Sequence, residues 1–207
     1  MNDDQLSMID ERLPQAANCK PRTGHRSRVT RLILVAGIGI VSSSTSALAE
    51  ERSYGGEDRD WNIPPTAQFR TDDYHGPTPR TIPGGRVVRT IELHSMLIGR
   101  SPPYVIDVLG GRGHRTIRGA FWLPGAGAGD LGADESRRFV EAVAKFAAGD
   151  KSRPLVFFCA DRECWLSYNA ALRAIAAGYT NIMWFRGGIA AWLHAGLPMS
   201  PAAPFGW

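Results

Sequence analysis

Two rhythms divide the apolar positions of this chain. Short runs with little polar interruption, Tyr104-Val-Ile-Asp-Val108, Ala120 to Leu123, Leu155-Val-Phe-Phe158 and Asn181 to Phe185, read as strands covered on both faces. Val87 to Ile91 reads as a further short strand or a lead-in. Between them the spacing turns helical. Glu92 to Ile98, Glu135 to Ala147, residues 165 to 177 and Ile189 to Ala195 are the expected helices. The second places Phe139, Val140, Val143 and Phe146 on one face, and the third closes at Gly178. Strands alternating with helices predict an α/β fold, a central mainly parallel β-sheet with helices on both faces.

The ends read differently. Glu50 to Gly84 is rich in Pro, Gly, Asp and Arg without a sustained period, and is expected to run as an extended arm over the domain, anchored by Trp61, Phe69 and Tyr74. The expected organisation is arm 50–84, domain 85–200 and tail 201–207. Ahead of the arm, Arg26, Arg28 and Arg31 precede the apolar run Leu32 to Val41, and Ala47-Leu-Ala49 is a small-x-small cleavage pattern before Glu50. Residues 1–49 therefore read as a secretory signal peptide, with export to the periplasm expected. The long mixed-charge stretch before Thr30, with Asp3, Asp4, Asp10 and Glu11, puts the start site in doubt, Val29 being an alternative. An apolar core of about ten residues is too short to span a bilayer, so no stable membrane span is expected after cleavage.

Removing the leader alters the charge. It holds six Lys or Arg against four Asp or Glu, which leaves the remaining chain only +2 of the original +4. That gives no footprint for nucleic acid. It also leaves two cysteines, Cys159 and Cys164, in a compartment where disulfides persist. Cys159 follows the run 155–158, where a strand ends and a loop begins, the edge at which open α/β sheets place their chemistry. The loop Ala160-Asp-Arg-Glu163 then feeds a helix start, whose free N–H groups and dipole favour a thiolate.

Three readings of Cys164 stay open: a resolving thiol, a regulator of Cys159, or half of a structural disulfide. Two thiols with scattered histidines form no metal site, and no cofactor is called for. A cysteine phosphatase would need an arginine six positions after the nucleophile, where Trp165 stands. Trp165 reads first as a packing residue and second as a substrate platform. Asp107, at a strand end on the same sheet edge, either orients the loop or caps a turn. Arg186 either adds positive potential at the site mouth or is solvated. Gly187 and Gly188 read as a tight strand-to-helix turn, and Trp192 as core.

The ordered motifs resemble a family. Val105-Ile-Asp-Val108, Ile117-Arg-Gly-Ala120 with Leu123-Pro124, the strand-Cys159-loop-helix unit, Gly178-Tyr-Thr-Asn-Ile182, Arg186-Gly-Gly-Ile-Ala-Ala-Trp192 and Ala195-Gly-Leu-Pro198 resemble a rhodanese domain. A narrower resemblance is to the PQQ-dependent catabolism-associated CXXCW motif proteins. It is carried by Phe69-Arg-Thr-Asp-Asp-Tyr74, Ile82-Pro-Gly84, Phe121-Trp-Leu-Pro124 and Cys164-Trp165-Leu-Ser167-Tyr-Asn169-Ala-Ala171. That name implies a tighter cysteine pair, whereas four residues intervene here.

The resemblance implies a rhodanese-like fold and a sulfurtransferase in which Cys159 takes a sulfane sulfur, holds it as a persulfide and passes it to a thiol or other acceptor. Cys164 would be its redox partner. Ala160, Asp161, Arg162, Glu163 and Trp165 would form the substrate-binding loop, with Asp107 and Arg186 in support. Arg162 and the loop amides would favour the thiolate, and Asp161 and Glu163 would oppose it. The narrower resemblance also implies a link to a periplasmic quinoprotein dehydrogenase system. Alternatives from other classes are a dithiol/disulfide oxidoreductase and a non-catalytic accessory module of that system.

Overall fold

A computed structural model describes residues 53–207; the expected leader lies outside the described residues. The chain runs β1 (Arg86–Val87), α1 (Thr90–Leu97), β2 (Tyr104–Asp107), β3 (Arg115–Ile117), β4 (Phe121–Trp122), α2 (Ala133–Ala147), β5 (Leu155–Phe158), α3 (Trp165–Ala176), β6 (Ile182–Trp184), α4 (Gly188–His194) and β7 (Met199–Pro201). Five strands form one parallel sheet in the order β1-β6-β5-β2-β4. This is the expected α/β architecture, with β5 at its centre.

Alternation along each strand divides the core in two, because successive side chains point to opposite faces. Ile106, Leu155, Phe157, Ile182 and Trp184 pack with Phe139 and Val143 of α2 and Tyr168 and Ala171 of α3. Val105, Val156, Phe158 and Met183 pack with Leu93 of α1 and Ala191 and Trp192 of α4. The continuously apolar run at 155–158 is thus apolar because both its faces are covered, and all four residues are fully buried.

Several elements depart from the pattern. Helix α1 begins at Thr90 rather than Glu92, because Glu57 of the arm reaches across to cap it. Its Oε2 accepts from the Thr90 amide at 2.9 Å and from the Thr90 hydroxyl at 2.8 Å. The motif Ile117-Arg-Gly-Ala120 opens on the last residue of β3, which pairs antiparallel with β7 to form a second small sheet, and then turns through Arg118 and Gly119, the Ala120 amide donating to the Ile117 carbonyl at 3.0 Å. The residues expected as a tail enter this sheet through Pro201 and continue to Phe205, whose amide donates to the Trp122 carbonyl at 2.7 Å.

The arm is held to α3 by reciprocal bonds that only a fixed backbone satisfies. The Tyr168 hydroxyl donates to the Thr66 carbonyl at 2.8 Å and accepts from the Thr66 amide at 3.0 Å. Asn169 does the same for Arg70, at 2.8 and 3.0 Å, and also donates to the Gly127 carbonyl. Among the described residues, no helix is long and apolar enough to cross a membrane.

Candidate active site

Strand β5 delivers Cys159 to the C-terminal edge of the sheet, and the chain folds back through residues 160–164 before α3 begins. The loop's shape is set by its own polar groups. The Asp161 carboxylate accepts from the Glu163 amide at 2.8 Å, and the Asp161 carbonyl accepts from the Cys164 amide at 3.1 Å. From below, α4 holds the entry to the loop, its Ile189 and Ala190 amides donating to the Cys159 and Ala160 carbonyls at 3.0 and 2.9 Å. This approach explains Gly188. Its φ is +58°, and a Cβ there would sit 2.5 Å from the Cys159 carbonyl oxygen.

Cys159 and Cys164 are joined as a disulfide, with Cα atoms 6.3 Å apart. Both are buried, at 1% and 5% exposure. Cys159 Sγ also lies 3.0 Å from the hydroxyl oxygen of Ser167, which accepts the Trp184 indole N–H at 3.0 Å. The sequence reading assigned Ser167 no role. Its signals were its place in the first turn of α3, three residues after Cys164, and its presence in the motif that carries the narrower resemblance.

The arm covers this loop. Residues His75 and Cys164 form an isolated antiparallel bridge, in which the Gly76 amide donates to the Glu163 carbonyl and the Trp165 amide to the Tyr74 carbonyl, both at 2.8 Å. The indole of Trp165 donates to the Pro77 carbonyl at 3.1 Å, and its ring meets the Arg70 guanidinium at 5.2 Å. Trp165 therefore packs the arm onto the helix start, and its buried ring is not a substrate platform. Three amides of the loop and the helix start are likewise engaged elsewhere. Those of Glu163, Cys164 and Trp165 donate to Asp161 and Tyr74 instead.

Arg162 is turned from the sulfurs as well. Its guanidinium donates to the Gly55 carbonyl, lies 3.6 Å from Glu163 and sits 5.6 Å from the Trp61 ring centre. Glu163 also meets His75 at 3.5 Å, in a pair exposed enough to be screened.

Arg186 corrects the expectation of a solvated side chain. It is 1% exposed, and its guanidinium donates to the Thr78 hydroxyl at 2.9 Å, the Thr78 carbonyl at 3.1 Å and the Glu57 carbonyl at 2.6 Å. Trp61 caps it at 5.1 Å. Burial, followed by repulsion from Arg80 and Arg162, pulls its pKa down to about 10. Thr78 carries the connection onward, donating its hydroxyl to the Arg162 carbonyl at 2.5 Å. Arg186 and Thr78 therefore form a buried strut from β6 through the arm to the cysteine loop.

Asp107 does not orient that loop. Its carboxylate accepts from the Leu109 amide at 3.0 Å and the Thr116 hydroxyl at 2.6 Å, and pairs with His114 at 2.7 Å. Burial nonetheless raises its pKa above the usual carboxylate value, outweighing those three bonds. Asp107 fixes the turn between β2 and β3, the role that its alternative reading gave it. Among the described residues, no cluster of His, Cys, Asp or Glu could hold a metal ion.

Residues 93–195 match the family described as Rhodanese-like domain. Three solved structures are similar. Thiosulfate sulfurtransferase from Pseudomonas aeruginosa is 21% identical over 57% of this chain and 20% of that one, with a TM-score of 0.44. The solution structure of the rhodanese-like domain from an Anabaena sp. protein is 21% identical over 56% of this chain and 82% of that one, at 0.39. A full-length protein from Lactobacillus plantarum is 18% identical over 53% and 81%, at 0.40. The chain thus spans about a fifth of the Pseudomonas aeruginosa protein. No curated protein matches it. By the match over 93–195, which takes in the Cys159 loop and the helices on either side of it, this segment of the chain is a rhodanese-like domain.

Proposed function

We propose that this protein is a sulfurtransferase of the periplasm whose nucleophile, Cys159, works only when its disulfide to Cys164 is open. The observation that carries this reading is the position of Cys159, at the end of the central strand and the head of a structured loop in a rhodanese-like domain. In the open state the Cys159 thiolate attacks the outer sulfur of a donor such as thiosulfate. The S–S bond of the donor breaks, sulfite leaves with the electron pair, and Cys159 holds the sulfur as a persulfide. A thiolate or cyanide then takes the outer sulfur and returns Cys159 to the thiolate. No external oxidant or reductant enters this cycle.

Closing the disulfide removes the nucleophile, so Cys164 acts as a regulator. The narrower resemblance and the expected leader support export and service to a quinoprotein dehydrogenase system, for which the small domain would supply or remove sulfur. The observed disulfide favours one second reading, a dithiol/disulfide oxidoreductase.

Intact masses of the reduced protein after incubation with thiosulfate separate the two. Sulfur transfer predicts the gain of one sulfur atom, lost in Cys159→Ser and kept in Cys164→Ser. A chain that gains no sulfur, and only loses two hydrogens reversibly, is the oxidoreductase.

A further inference from the structure

Ser167 and Trp184 lie inside the core, Ser167 bonded to one of the two sulfurs and Trp184 to Ser167, and the resemblance gives neither a role in the loop's chemistry. Both are buried, Ser167 at 1% exposure and Trp184 fully. An indole N–H only donates, so the Trp184 bond at 3.0 Å occupies one lone pair of the Ser167 oxygen and leaves the hydroxyl proton to point elsewhere. Two acceptors stand within its reach. One is Cys159 Sγ at 3.0 Å, and the other is the Cys164 carbonyl at 3.5 Å.

In the disulfide neither sulfur is charged, and sulfur is a weak acceptor. Once the disulfide opens, a negative sulfur at Cys159 becomes the stronger and nearer acceptor, and a charge-assisted bond can form with Ser167 and Trp184 already in place. Cys164 Sγ has no hydrogen-bond donor among the described residues. The two sulfurs of one disulfide are thus unequal before any reaction begins.

We infer that Ser167, held by Trp184, is a positioning residue that makes Cys159 the leaving sulfur when the disulfide is reduced. The direction of reduction follows. The thiolate of a low-molecular-weight thiol attacks the sulfur of Cys164, the less buried residue of the pair at 5% against 1% exposure, forming a mixed disulfide. The Cys159–Cys164 bond breaks, and its electron pair leaves on Cys159, which accepts the Ser167 hydroxyl bond. A second thiolate attacks the outer sulfur of the mixed disulfide, giving the thiol's own disulfide and Cys164 thiolate, which takes a proton from solvent. The better-stabilised thiolate leaves faster, which fixes the order. Reduction then yields Cys159 already in its reactive form. This rests on Cys159 being the reacting sulfur but does not require that sulfur transfer occur.

The test uses the full chain and no sulfur donor. The oxidised protein is exposed to glutathione, quenched with iodoacetamide and mapped by peptide mass. Glutathione is expected on Cys164 and the alkyl group on Cys159. In the fully reduced protein, the pH profile for alkylation of Cys159 is expected to lie below that of Cys164. Ser167→Ala should move the Cys159 profile up by about one pH unit, a roughly tenfold slower reaction on its lower limb. Ser167→Thr, which keeps the hydroxyl, should restore it, and Trp184→Phe should move it in the same direction as Ser167→Ala but less far. Glutathione on Cys159, or a Cys159 profile unchanged in Ser167→Ala while the fold is intact by near-ultraviolet circular dichroism, overturns the inference. A shifted profile in a chain that gains no sulfur from thiosulfate leaves the inference standing and removes the sulfurtransferase reading alone.

Discussion

Strands β2 and β5 lie side by side and end at the same edge of the sheet, Asp107 opposite Phe158. The chemistry-bearing residues at the two ends are held in different ways. Asp107 is satisfied by groups that follow it closely in the chain, Leu109, His114 and Thr116. Cys159 is bonded to Cys164 in its own loop and touched by Ser167 from the next helix, and the Cys164 end of that loop is roofed by an arm some eighty residues away in sequence. The C-terminal edge of a parallel sheet is where ligands commonly bind, yet address alone makes neither residue reactive. A group whose local partners already satisfy it serves the fold. A group whose partners can change, by opening a bond or lifting an arm, is available for chemistry.

The roof over the cysteine loop is where the comparison can be broken most severely. Arg186→Ala removes three buried hydrogen bonds to the arm and strands the carbonyls of Glu57 and Thr78, which should cost about 3 kcal/mol or more. Urea unfolding measures that loss. If the arm is the roof, hydrogen exchange at the Gly76 and Trp165 amides rises in the same variant while exchange at the Leu109 amide, beside Asp107, stays as it was.

Thr78→Val probes the same strut more gently. It removes one donor and one acceptor between Arg186 and the Arg162 carbonyl, for an expected loss of about 2 kcal/mol. A loss below half a kcal/mol would mean that the strut transmits nothing to the loop.

At the other strand end the effect is smaller and depends on pH. The folded pKa of Asp107 is raised above its ordinary value of 3.8, so the folded chain holds that proton more tightly than the unfolded one. Its contribution to stability is full below about pH 4 and is lost as pH rises through the folded value. Relative to wild type, Asp107→Asn should therefore be most destabilised at low pH, and the gap should narrow by about 1.4 kcal/mol for each unit by which the pKa is raised. A gap that widens toward neutral pH would show that attraction to His114 outweighs burial. The smallest effect belongs to the exposed His75–Glu163 pair. His75→Ala should change stability by less than about 0.5 kcal/mol.

The sheet was readable because its evidence is local. Continuous apolar runs marked β2, β5 and β6, and Gly178, at φ +87°, closed α3 close to where the pattern ended it. Helix α1 began earlier than its pattern because its cap, Glu57, comes from a segment with no period at all. Strands β3 and β7 were missed for a related reason. Each is three residues long, and one ends in a proline, so pairing rather than propensity creates them. At the site, Cys159 announced itself through its strand and loop, while the bond to Cys164 stayed one of three open readings, because spacing does not show whether two Cα atoms come within bridging distance. Arg186 misled because nothing local separates a buried arginine from a solvated one. Its partners lie 108 and 129 positions away.

The central claim is that the disulfide decides whether Cys159 accepts sulfur, and intact mass after thiosulfate treatment of the oxidised and reduced wild-type chains tests it side by side. The account predicts one added sulfur atom on the reduced chain and none on the oxidised chain. Equal gain by both, or no gain by either, would contradict it.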